Sequence, residues 1–89
     1  MPLKATDEPG YWDFKSSSVV FWMVDGTQRV RCVVTLEALE TFDPKLDRLG
    51  GAAPLRCFDQ HRDRIETVAS AKFDISYTHR TIMVRKEDL

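Results

Sequence analysis

The sequence predicts an α+β domain: an antiparallel sheet of three or four strands, with two main helices packed on one face. Three observations carry this reading. In the stretch 55–73, Leu55, Phe58, Ile65, Ala69 and Phe73 fall on one stripe at 100° per residue, with His61 and Val68 along its flank, so it reads as an amphipathic helix of about five turns. Runs rich in β-branched and aromatic residues occupy 19–24, 30–34 and 81–84, and they supply the only sheet that such a stripe could cover. Asp25-Gly26, placed between the first two runs, is a strong hairpin signal.

Taken in order, residues 1–10 hold Pro2, Pro9, Gly10 and three charged side chains, the composition of a loosely ordered arm, and the domain proper is expected over 11–89. Tyr11, Trp12 and Phe14 precede a Ser16-Ser17-Ser18 turn, so this segment should dock as a short edge strand or an aromatic plug. The run 19–24 is apolar throughout. Its partner, starting at Gln28, alternates legibly, with Val30, Cys32 and Val34 against Arg29 and Arg31, which gives one core face and one wet face.

Thr35 suits an N-cap, Glu37 sits in the first turn where the helix dipole favours an anion, and Leu36, Leu39 and Phe42 are spaced three apart. A short helix follows. Asp43 before Pro44 should stop or bend it, with one further turn through Leu46 and Leu49 ended by Gly50-Gly51. Pro54 suits the first turn of the long helix, although Ala53 is a poor cap. Residues 74–79 read as a connector and Thr81-Ile82-Met83-Val84 as the last strand, closed by a charged tail.

The 89 residues suit a single core, and 13 Lys and Arg against 14 Asp and Glu, interspersed along the chain, leave a net charge of −1. No long-range field then draws the protein to nucleic acid or to an anionic membrane. No apolar run reaches the roughly 18 residues a bilayer span needs, and the N-terminus lacks a signal-peptide core, so the expected location is cytoplasmic. Cys32 and Cys57 are too few for a disulfide scaffold and should be buried free thiols.

The order of features resembles one known group. The aromatic arm, Val19-x-Phe21 before Asp25-Gly26, Cys32, Glu37-Ala38-Leu39, Phe58 through Arg62, Ile65, Ala69, Lys72, Phe73 and an apolar strand before Asp88-Leu89 together look like the small bacterial proteins of family 1488 of the domains of unknown function. The resemblance covers nearly the whole chain. It implies a compact α+β domain of proteobacteria and no established activity, and it transfers no catalytic residue. The arm is longer and more charged than is usual there, and Leu89 stands where an aromatic is typical.

Residues that could carry chemistry are few. Cys57 and His61, four apart on one helix, would make a zinc set with Cys32 and His79, but the second pair forms no short clamp, so no metal and no cofactor are expected. As a nucleophile Cys57 lacks the cationic surroundings that lower a thiol pKa. Asp59, Asp63 and Glu66 interleave with Arg62 and Arg64 in the manner of a solvated helix face. The chain is accordingly read as not an enzyme.

The outer face of the sheet is the more informative feature. If Val19, Phe21 and Met23 face the helices, then Val20, Trp22 and Val24 point away and join Arg29, Arg31 and Val33 of the paired strand. Aromatic, aliphatic and arginine side chains together have the composition of a contact surface. One alternative is that Tyr11, Trp12 and Phe14 fold across this face and cover it. Another is weak single-stranded nucleic-acid binding, with bases stacked on Trp22 and phosphates on Arg29 and Arg31. The leading reading is a non-catalytic interaction module that contacts another protein or a second copy of itself, as a monomer or a homodimer.

Overall fold

The computed structural model describes residues 3–6, 8–46, 51–75 and 81–89. Its strands are β1 (Lys4–Ala5), β2 (Tyr11–Asp13), β3 (Ser18–Asp25), β4 (Gln28–Thr35) and β5 (Thr81–Val84). Its helices are α1 (Leu36–Phe42), α2 (Ala52–Gln60) and α3 (Arg62–Ile75), and a 3-10 turn follows at Lys86–Asp88.

The centre of the sheet is the β3–β4 hairpin, paired from Ser18↔Thr35 to Asp25↔Gln28. Its two-residue turn begins at Gly26, whose φ of +62° is available to glycine without a Cβ clash. The other edge of β3 is shared. β2 pairs with residues 18–20 and β1 with residues 23–24, both antiparallel, so the two short strands lie in tandem and the sheet is four strands wide. β5 departs from the antiparallel order: it runs parallel to β4, with Arg31↔Thr81 through Val34↔Val84. The cause is the connection, since a chain that leaves β4, crosses one face through three helices and returns to the same edge arrives in the same direction.

All three helices sit on one face, and the alternation read from β4 holds. Val19, Phe21, Met23, Val30, Cys32 and Val34 are buried in one cluster with Leu39, Phe58, Ile65, Ala69 and Val84. The Phe21 and Phe58 rings meet at 4.9 Å across the sheet–helix boundary. Thr35 caps α1 by accepting the Ala38 amide on its hydroxyl at 3.1 Å.

The expected five-turn helix is two helices. His61 leaves the helical region at φ −116° and ψ 18°, and its amide is shared between the Cys57 and Phe58 carbonyls. Its ring stacks on Phe42 of α1, centroids 4.2 Å apart and planes 10° from parallel. Periodicity does not register this break, because a one-residue interruption leaves Phe58 and Ile65 on the same side. α2 also begins earlier than expected, at Ala52, after Gly51 with φ +77°. Pro54 falls in its first turn, where no amide is required. A turn at Pro44–Lys45 follows α1, with Asp43 accepting the Lys45 amide, while Leu49 and Gly50 lie outside the described residues.

The arm, expected to be loosely ordered, is docked where it is described. Leu3 is buried in the helix-side core and its amide donates to the Ser70 hydroxyl at 3.1 Å. Thr6 donates its hydroxyl to the Trp22 carbonyl, and Arg62 of α3 donates to the carbonyls of Thr6 and Glu8. Composition marks such a segment as polar, but one leucine and a few backbone groups suffice to anchor it. At the opposite edge Lys72 donates to the Met83 carbonyl and pairs with Asp88 at 2.7 Å, which places a charge beside the free side of β5.

Candidate functional site

Strand register decides which side chains share the face opposite the helices. Across the four strands, one row is Tyr11, Val20, Val33 and Met83, and the next is Trp22, Arg31 and Thr81. A third row is Lys4, Val24 and Arg29. The six residues singled out from the sequence, Val20, Trp22, Val24, Arg29, Arg31 and Val33, are therefore brought together on this face. They are not equally available. Val20 is 0% and Val33 4% exposed, yet neither belongs to the helix-side cluster, so this pair is the floor of the face and not a contact point in itself.

The accessible groups are those around that floor. Tyr11 at 47% and Met83 at 38% exposure close the apolar row at its two ends. Sequence reasoning missed both. Their signal is the two-residue alternation: Trp12, Ile82 and Val84 pack on the core side and leave Tyr11 and Met83 on the other. Of the three aromatics that precede the serine turn, Trp12 does not cover the face: it turns inward, its ring filling the space in which a Cβ on Gly51 would lie.

Arg29 lies over the Trp22 ring, its guanidinium carbon 4.5 Å from the centroid, and pairs with Glu8. Arg31 is half-buried beside Trp22 and makes no hydrogen bond or ion pair among the described residues. Its charge reaches Asp13, whose carboxyl is held below its ordinary range first by the Ser16 hydroxyl at 2.9 Å, then by the Lys15 amide, and to a smaller extent by Arg31. Arg85 extends the β5 alternation by one step and donates its Nε to the Met83 sulfur at 3.4 Å.

The groups that could do covalent chemistry are engaged elsewhere. Burial pushes the Cys32 thiol up to about 12, with the Glu66 carboxylate adding to the effect. Burial likewise raises Cys57, which donates to the Leu39 carbonyl at 3.6 Å while His61 stacks on Phe42. Glu66 accepts from Arg62 at 3.1 Å, and Asp59 and Asp63 are exposed. His79 lies outside the described residues, and among the described residues no three His, Cys, Asp or Glu side chains converge to hold a metal. No described helix is long and apolar enough to cross a membrane. A recess of about 630 Å³ opens beside Met83, lined by Trp12, Thr35, Glu37, Arg85 and Glu87 among others, and carries both signs of charge.

Comparison with known proteins gives a family and a fold. A family model described as "Protein of unknown function (DUF1488)" matches residues 6–81. A crystal structure of a protein of unknown function from that family, from Shewanella loihica, is similar at a TM-score of 0.76 and 22% identity, covering 93% of this chain and 91% of the other. No curated protein matches the chain.

Proposed function

The chain belongs to the DUF1488 family, whose description carries no activity, and on that footing we propose that it is a small non-catalytic interaction module whose open sheet face docks another protein. The observation that supports this reading is the one-sidedness of the fold. Three helices cover one face, and the other presents an apolar row bordered by Trp22 and arginines, where binding energy concentrates at protein interfaces. The absence of an enzymatic role is part of the proposal, supported by thiols held protonated in the core and a histidine committed to a ring stack. So is a cytoplasmic location, where two buried free thiols persist without a partner for oxidation.

Affinity capture with three baits tests it: the wild type, Arg31→Glu combined with Met83→Asp, and Arg64→Glu on the exposed side of α3. The proposal expects a protein retained by the wild type and by Arg64→Glu and lost with the double variant, whose fold is checked by circular dichroism. Retention by all three baits, or loss with Arg64→Glu alone, overturns it.

A further inference from the structure

We infer that the occupant of the open face is an extended acidic segment of another protein, in which two carboxylates no more than four residues apart flank an apolar side chain. This rests on the docking role proposed above and specifies its partner.

Charge is the first ground. Lys4, Arg29, Arg31 and Arg85 lie on this face by register and alternation; the carboxylates near them are Asp13, already engaged by Ser16 and Lys15, Glu8, paired with Arg29, and Glu37 and Glu87 at the recess beside Arg85. The whole chain is nevertheless at −1, so the acidic excess lies elsewhere and the near-neutral total conceals a cationic face. Glu8 offsets Arg29, which leaves Lys4, Arg31 and Arg85 as the cations of this face without a carboxylate in an ion pair among the described residues, Arg31 and Arg85 being those that border the apolar row. A second copy docked by this face would bring guanidinium against guanidinium. Area is the second ground. Two strands of eight residues with short flanking strands span roughly 400 Å², about half of what each partner of a stable globular pair contributes. A segment fits where a second domain does not.

Spacing is the third. Arg31 is in register with Thr81, and Arg85 lies four residues further along an extended backbone, so their backbone positions stand about 13 Å apart along the strand direction, while the Arg85 Nε reaches back to the Met83 sulfur and brings the two charges nearer to each other. The apolar row of Tyr11, Val20, Val33 and Met83 passes between them. An extended peptide rises by the same amount per residue, so two carboxylates no more than four residues apart meet the arginines while an apolar side chain between them rests on the apolar row. Single-stranded nucleic acid would need a free aromatic plane at the centre. The Trp22 ring instead carries Arg29, and the floor is two valines.

The test pans a random nonapeptide phage library on the folded full chain and then titrates the enriched peptides by fluorescence polarisation. Enrichment of peptides with an apolar side chain between two acidic ones no more than four residues apart is expected, with affinity falling tenfold or more in both Arg31→Glu and Arg85→Glu, falling again between low and moderate salt, and unchanged in Arg64→Glu. Arg31→Gln provides a milder second variant should the charge reversal perturb folding, and it should weaken binding in the same direction. Enrichment of apolar peptides without acidic bias, still sensitive to Met83→Asp, overturns this inference and leaves the docking role standing. Failure to enrich any peptide, or binding indifferent to every face variant, overturns both. Oligothymidylate binding that Arg31→Glu abolishes, with no peptide enriched, assigns the face to nucleic acid and also overturns both.

Discussion

Gly51 shows how much a single backbone position can carry. Its φ of +77° is in the left-handed region, and a Cβ there would lie 2.4 Å from two atoms of the Trp12 ring. Gly51→Ala therefore adds backbone strain to a steric collision, and we expect it to cost about 1–3 kcal/mol in denaturant unfolding. Sequence alone marks Gly50-Gly51 as a breaker, but the second reason depends on a tryptophan 39 positions away, which no local pattern discloses. The open face repeats the lesson. That Val20 and Val33 point away from the helices follows from alternation; that they are sealed while Tyr11 and Met83 stay exposed depends on which strands flank the hairpin.

Among the elements, the hairpin and α1 were legible because their signals are local: Asp25-Gly26 for the turn, Thr35 for the cap. The broken long helix and the parallel last strand were not, since one depends on a tertiary ring stack and the other on the path of the chain between β4 and β5. The shared apolar stripe of α2 and α3 still places Ile65 at 0% exposure against the sheet. Ile65→Ala should cost about 2–5 kcal/mol, and a loss below about half a kcal/mol in denaturant unfolding would remove α3 from the core. The C-terminal turn has its own acid signature. Asp88 is held below its ordinary 3.8 first by the Lys72 ammonium and also by the Arg85 amide. Its folded pKa is the lower one, so the stabilisation is fully present above the unfolded value and fades as pH falls through the depressed folded value. Asp88→Asn should be the less stable protein near neutrality, with the difference closing in acid, as read by thermal unfolding across pH.

At the scale of the whole molecule, the fold divides the chain into two unlike sides. Composition reports near-balance and interspersed charge, and both statements are true of the sequence. Strand pairing then collects Lys4, Arg29, Arg31 and Arg85 on one surface from three different segments, a sorting that depends on register and on the parallel return of β5. The DUF1488 fold thus presents an apolar row between cations on a face that no described helix covers. The most direct test is amide chemical-shift mapping of the isotope-labelled chain titrated with the protein that it captures. Perturbations concentrated at Tyr11, Trp22, Arg31 and Met83, with the exposed side of α3 around Asp63 and Thr67 unmoved, are the result expected. Perturbations confined to α1–α3 and absent from the sheet face would contradict the account.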